Sequence, residues 1–326
     1  MTALEDQKAN WLHRTAMKRI QTTLTIAGLL VFALVAIMKL RDVPEPGDLP
    51  PTSGEHRILA TSSDQIDLLS LFLTPNALVA VPVQALKYSR VAMTDPRYAK
   101  LPTFDRFVAE TALQWEPSLV IVSPFVPVDT QAQLRRFGTP LLFLDPRDNW
   151  DGLKQSIISL GKALGKIDVA KKIIEKQESR LQQLDVRVQE VTLNKPHRRF
   201  VSYANYGSGG WGAGPGLSID WVIKTAGLEN AASDLNRNGA FAMSFEDLVV
   251  LDPDYIIISE GQDGSKSSTE KTLLSSPDLA LLSAIKHKRF IRMPSNIMSA
   301  SSQEMISASE LLLDLWQAAE AKRASR

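Results

Sequence analysis

Residues 168–191 read DVAKKIIEKQESRLQQLDVRVQEV. Ala170, Ile173, Ile174, Leu181, Leu184, Val188 and Val191 recur at spacings of three, four and seven. That is one apolar stripe of an amphipathic helix, with Lys, Glu, Gln and Arg on the other faces. Asp168 can cap its N-terminus, Gly165 interrupts the pattern upstream, and Pro196 lies beyond the end. At 1.5 Å per residue such a helix spans about 36 Å, roughly the diameter of a small domain. Strand–helix patterns lie on both sides of it and none inside. The stretch therefore predicts a single helical spacer between two α/β halves.

On its N-terminal side, four short apolar runs read as strands: Ile58-Leu59-Ala60, Leu78 to Val81, Leu119 to Val122 and Leu141 to Leu144. Helices are expected over 66–73, 104–115 and 150–164. Continuously apolar strands alternating with helices imply a parallel sheet covered on both faces. In such sheets ligands sit beyond the carboxyl ends of the strands. On the C-terminal side the pattern restarts, with strands expected over 199–202, 255–258 and 289–292 and helices over 217–226, 245–250 and 303–319.

The halves also share a spelling. Glu110-Thr-Ala-Leu-Gln-Trp-Glu-Pro117 leads into an apolar strand ending at Ser123; Glu246-Asp-Leu-Val-Val-Leu-Asp-Pro253 leads into one ending at Ser259. Asp67-Leu-Leu and Asp220-Trp-Val follow the opening strand of each half. Two matched pairs in the same order suggest related lobes facing one another, with the long helix as sole strut.

A chain of 326 residues has length for two domains. With 44% hydrophobic and 22% charged residues it can bury an ordinary core. A net charge of +1 argues against nucleic acid as a partner. Cysteine is absent, which excludes disulfides, thiolate metal sites, a cysteine nucleophile and a lipidated N-terminal cysteine. Residues 20–38, IQTTLTIAGLLVFALVAIM, carry no charge and span about 28 Å as helix. His13, Arg14, Lys18 and Arg19 precede them, a mixed set follows, and no small-residue cleavage pattern is present. They read as a single-pass signal anchor in the inner (cytoplasmic) membrane, with the body on the periplasmic or extracytoplasmic side. The Pro-rich segment 42–55 reads as a tether.

The chemistry of catalysis is missing. The histidines His13, His56, His197 and His287 have no ligand spacing, and those in the body precede strands rather than follow them. Loop serines 62, 63, 123 and 259 have no histidine placed to form a triad. The chain is not expected to be an enzyme, and no metal site or cofactor is expected. Gly207-Ser-Gly-Gly-Trp-Gly212 matches GxGxxG formally, but Ala213 to Gly216 intervene before the next helix. It reads better as a flexible loop presenting Trp211 with Asn205, Tyr206 and the nearby Tyr203 at the sheet's carboxyl edge, with burial in the core the alternative for Tyr203, which is still beside the strand. Glu110 and Glu246 fall near helix N-termini, where a lone glutamate usually serves only the helix dipole. Two in register on two lobes point to a paired docking feature.

Over about residues 57–316 the body resembles the helical-backbone periplasmic solute-binding proteins of ABC importers, the class that carries cobalamin, ferric siderophores and haem. The resemblance rests on the Glu-x6-Pro segments, Leu160-Gly-Lys-Ala-Leu-Gly165, Ala213-Gly-Pro-Gly216 leading into Asp220, Ala226-Gly-Leu-Glu-Asn-Ala231, and Ser244 through Asp254. It implies two Rossmann-like lobes with parallel sheets joined by one long helix, here preceded by a transmembrane helix. It implies docking of Glu110 and Glu246 to an ABC permease, and a small-molecule ligand of chelate or corrinoid class between the lobes. The implied ligand-binding residues are Ser63, Gln84, Tyr88, Phe125, Asn205, Tyr206, Trp211 and Phe241, with 295–299 contributing a loop. Cleft histidines, used by the metal-ion branch, are lacking. The expected division is 1–19 cytoplasmic, 20–38 anchor, 39–56 tether, 57–148 first lobe, 149–195 backbone helix region and 196–326 second lobe. An anchored sensory or scaffold protein, binding a partner protein with the same fold, is the alternative.

Overall fold

The computed structural model describes residues 56–144, 147–193, 198–205, 209–260 and 267–325. The expected anchor and tether, and Tyr206, lie outside these residues. Among the described residues no helix is long and apolar enough to cross a membrane.

The first half runs β1 (Ile58–Ala60), α1 (Ser63–Leu69), β2 (Leu78–Pro82), α2 (Ala85–Tyr88), α3 (Arg90–Thr94), β3 (Thr103–Phe104), α4 (Ala109–Gln114), β4 (Leu119–Val122), α5 (Val128–Arg136) and β5 (Leu141–Phe143). Its sheet has the order β3-β2-β1-β4-β5, all parallel. That is the doubly wound order, whose switch point lies between β1 and β4. Then come α6 (Trp150–Ala163) and α7 (Ile167–Thr192), the long helix, within one residue of its expected limits at each end. The second half runs β6 (Arg199–Asn205), β7 (Gly210–Ala213), α8 (Ser218–Thr225), β8 (Glu229–Asn230), β9 (Ala240–Ala242), α9 (Phe245–Leu251), β10 (Tyr255–Glu260), α10 (Ser268–Ser275), α11 (Ser283–Lys286), β11 (Phe290–Pro294), α12 (Ser295–Met298) and α13 (Glu304–Ala324).

In the second sheet β8, β6, β10 and β11 are parallel neighbours in that order, repeating β2, β1, β4 and β5 of the first. Successive residues of β10 face opposite sides: Tyr255 and Ile257 pack towards α8 and α13, Ile256 and Ile258 towards α9 and α11. Both faces are covered, which is why these strands read as unbroken apolar runs.

Four expectations need correction. The helix expected over 104–115 is only Ala109–Gln114, because Thr103 and Phe104 pair with Val81 and Pro82 as an edge strand. Phe104 is buried there against Phe107 and Trp115. The second sheet is not wholly parallel, since β7 pairs antiparallel with β6 and with β9. Gly210 to Gly212 of the glycine run are therefore strand rather than free loop. A Cβ on Gly210 would fall 1.9 Å from the Tyr203 hydroxyl, and one on Gly212 would fall 2.3 Å from Met243 Cε. These glycines permit close strand packing. Finally, α7 is not the sole strut. The start of α13 also grips the first lobe: Gln303 donates to the Asp67 carbonyl at 3.0 Å, and Glu304 pairs with Arg90 at 2.8 Å.

The glycines quoted for the resemblance turn out to seat α7. Gly161 lies where its Cβ would be 2.6 Å from Ala170 Cβ, so α6 and α7 touch at that point. Gly165, with φ of 64°, ends α6. Gly227, with φ of 74°, closes α8 by donating to the Lys224 carbonyl, while Leu228 donates to that of Ile223. A Cβ on Gly227 would meet Val188 of α7 at 2.3 Å.

Candidate functional site

The carboxyl ends of β1 and β4 are tied together at the switch point. Thr61 Oγ1 accepts from the Ser123 N–H at 2.8 Å and donates to the Ile121 carbonyl at 3.1 Å, while the Gln65 side chain accepts from Thr61 N–H at 2.8 Å. Beyond that knot opens a cavity of about 640 Å³, lined on the first-lobe side by Ser62, Ser63, Gln84, Ser123 and Phe125. A larger cavity of about 1050 Å³ lies against the second lobe, where Ser202, Trp211, Ser218, Glu260 and Thr269 form much of its wall. Tyr88, Arg147, Ser299 and Ser301 line both. The two volumes are halves of one cleft between the lobes, sharing those residues as a common border.

Arg147 braces that border. Its Nε donates to the Ser301 carbonyl at 2.7 Å and its guanidinium pairs with Asp64 at the start of α1. Hydroxyls dominate the second-lobe wall, and Tyr88 and Trp211 stay 46% and 47% exposed. Large aromatics half open to a cavity offer faces for an apolar or π-rich ligand.

Each expected ligand residue except Tyr206, which lies outside the described residues, has a definite place. Ser63, Gln84 and Phe125 line the first-lobe half; Tyr88 lines both halves; Trp211 lines the second-lobe half. Gln84 is held by its amide, which donates to Asp105 at 3.2 Å. Asn205 lines neither half. It is 7% exposed, and its backbone N–H donates to Thr269 Oγ1 at 2.9 Å, so it fastens β6 to α10. Phe241 also stands outside the lining, packed beneath the Arg237 guanidinium 5.4 Å from its ring centroid. Tyr203 takes the core alternative and is 1% exposed.

Sequence reasoning missed Arg147, Asp148, Thr269 and Glu260. The last follows Ser259 directly, and the repeat could have found it, since Ser259 occupies the place of Ser123. Arg147 had a weaker signal, a cation just past a strand end.

Glu110 and Glu246 are exposed in the first turns of α4 and α9. Neither is in an ion pair among the described residues. A hydrogen bond with Ser244 holds the Glu246 carboxyl below the usual glutamate range. The same serine forms a capping box with Asp247. Asp67 and Asp220, the other repeated pair, are both buried; Asp67 ties α1 to the segment after β2, and Asp220 ties α8 to the end of β8. Asp67 accepts from Ser89 Oγ at 2.7 Å and Val91 N–H at 3.1 Å; Asp220 accepts from the Asn230 amide at 2.8 Å. Burial pushes the Asp67 carboxyl up to about 6, against the pull of those two donors. No group of three or more His, Asp or Glu side chains among the described residues could hold a metal ion.

A family model described as periplasmic binding protein matches residues 58–297. No curated protein matches the chain. Among solved structures, the periplasmic haem-binding protein RhuT of Roseiflexus sp. RS-1 in apo form aligns with a TM-score of 0.68 at 22% identity, covering 80% of this chain and 99% of that one. An ABC-type Fe3+-hydroxamate transport system protein of Saccharomonospora viridis aligns at 0.66 and 17% identity, covering 82% and 94%. The molybdate-bound periplasmic binding protein MolA of Haemophilus influenzae aligns at 0.67 and 17%, covering 86% and 91%. At such identities these likenesses concern the fold.

Proposed function

The chain belongs to the periplasmic binding protein family, with the helical-backbone architecture of ABC-importer solute-binding proteins, and from that premise we propose that it captures a bulky metal chelate between its lobes for import. The observation that carries this reading is the cleft. Its second-lobe half alone is about 1050 Å³, at the upper limit of the roughly 300–1,000 Å³ of ordinary small-molecule sites. Half-exposed Tyr88 and Trp211 and a wall of hydroxyls suit a ligand that is flat or greasy in part and polar at its rim. Among similar structures, haem and a ferric hydroxamate are the chelates named; a corrinoid is the third candidate by resemblance. Ser63, Gln84, Tyr88, Phe125 and Trp211 remain proposed contacts, and Asn205 and Phe241 are proposed to act from behind the wall.

The apolar run 20–38 supports an uncleaved anchor that holds the body against the inner membrane on its extracytoplasmic side. Glu110 and Glu246 are proposed to dock to an ABC permease. Their exposure, their equivalent places on α4 and α9 and their freedom from ion pairs among the described residues support this role. In cells, Glu110→Ala combined with Glu246→Ala should abolish chelate uptake while purified protein keeps its affinity within about twofold. Undiminished uptake would overturn the docking assignment. Chelate binding in a protein on which no uptake depends would favour the anchored sensor instead.

A further inference from the structure

The described residues lining the cleft include one cation, Arg147, and it is already committed: it pairs with Asp64 and donates to the Ser301 carbonyl. Against it stand carboxylates that are not so committed. Asp148 and Glu260 line the larger half, and neither is in an ion pair among the described residues; Arg292, the cation whose charge Glu260 feels, is itself held by both carboxylate oxygens of Glu270. Among the described residues Asp148 accepts only from the Asn149 amide, at 3.0 Å. The hydroxyls around them can donate or accept, so they leave the balance of charge unaltered. Trp211 and Tyr88 line the same half with about half their surface exposed. Aromatic faces beside unpaired carboxylates form the arrangement that attracts a cation, through the ring quadrupole and through charge. An anionic group entering this half would meet those carboxylates and, among the described lining residues, no free guanidinium or ammonium to receive it.

We infer that the larger half of the cleft selects a chelate that bears a cationic group, such as a protonated amine on a ferric hydroxamate, and disfavours one bearing carboxylates. Glu260 and Asp148 are the specificity-determining residues, with Trp211 supplying the aromatic face. This inference rests on the proposed chelate-binding role of the cleft.

The test uses the full chain in detergent at low salt. Three probes are titrated: a linear ferric trihydroxamate with a free amine, the same chelate acetylated on that amine, and haem, which carries two carboxylates. The amine form should bind roughly fivefold tighter than the acetylated form, with haem weakest. Raising the salt should narrow the gap. In Glu260→Gln with Asp148→Asn the gap between amine and acetylated forms should close, chiefly through a loss of affinity for the amine form. Haem binding tightest, or a gap untouched by the double substitution, would overturn the charge preference and leave chelate capture standing. Binding of none of the three would overturn both.

Discussion

Glu116 and Asp252 have φ of 44° and 37°, left-handed values that cost a non-glycine residue about 1–2 kcal/mol. Each is the residue before the proline of its Glu-x6-Pro segment. Each follows the end of its helix, α4 or α9, turning the chain sharply into β4 or β10. The spacing that looked like a recognition signature is thus first a helix-to-strand turn, with Pro preventing helix continuation. Glu116 is exposed, so Glu116→Gly should relieve the turn. A gain of up to about 1 kcal/mol in urea unfolding is expected, since glycine's extra freedom in the unfolded chain offsets part of the relief. A loss of stability would mean that the turn is not strained.

Asp67 gives a second prediction at this scale. Its carboxyl is 3% exposed and titrates near 6 in the fold, against 3.8 for an ordinary aspartate. Between those values the folded chain holds a proton that the unfolded chain has lost. The contribution is therefore complete below about pH 4 and lost as pH rises through 6, on the order of 2–3 kcal/mol. In Asp67→Asn this dependence should vanish. Unfolding curves at pH 4, 5, 6, 7 and 8 for both proteins should show the difference between them changing over that window and flat above pH 7. A constant difference would mean that Asp67 is ionised throughout.

Among the elements, α7 was the most legible in the sequence, because its stripe runs for many turns and its flanks carry glycine and proline. The short strands were legible too, being buried on both faces. What could not be read was β7. Its glycines are selected by Tyr203 and Met243 lying against them, contacts between residues far from local periodicity. The start of α13 was hidden for a similar reason: Gln303 and Glu304 look like ordinary helix-opening polar residues until the first lobe is beside them. Of the cleft, the strand-end loops were foreseen and Arg147 and Glu260 were not. A charge gains meaning there only once both lobes supply its surroundings. Gly227 tests the seat of α7. Gly227→Ala meets both a left-handed φ and Val188, so chemical unfolding should show a loss of about 2–3 kcal/mol. A change under about 0.5 kcal/mol would show that α7 can shift without cost.

For the whole molecule, the repeat of sheet order and of Asp67 with Asp220 describes two lobes built on one plan, with their strand ends turned to a shared cleft. The lobes are linked by α7 and by the first residues of α13. Arg180 and Arg187 of α7 pair with Glu310 and Asp314 of α13, so the links are also fastened to each other. Such a frame should flex by a few degrees on ligand capture rather than close like a clamshell. X-ray scattering with and without ligand should give nearly equal radii of gyration; a large contraction would contradict a stiff frame.

If a bulky chelate occupies the cleft, Trp211 is its direct reporter. Titrating the full chain with haem, a ferric trihydroxamate and cobalamin, while following tryptophan fluorescence and melting temperature, tests it. At least one chelate should quench saturably and raise the melting temperature with its concentration. Most of the quenching should disappear in Trp211→Phe, while the rise in melting temperature remains detectable. No saturable response to any chelate, or quenching unchanged by Trp211→Phe, would contradict chelate occupancy of the cleft.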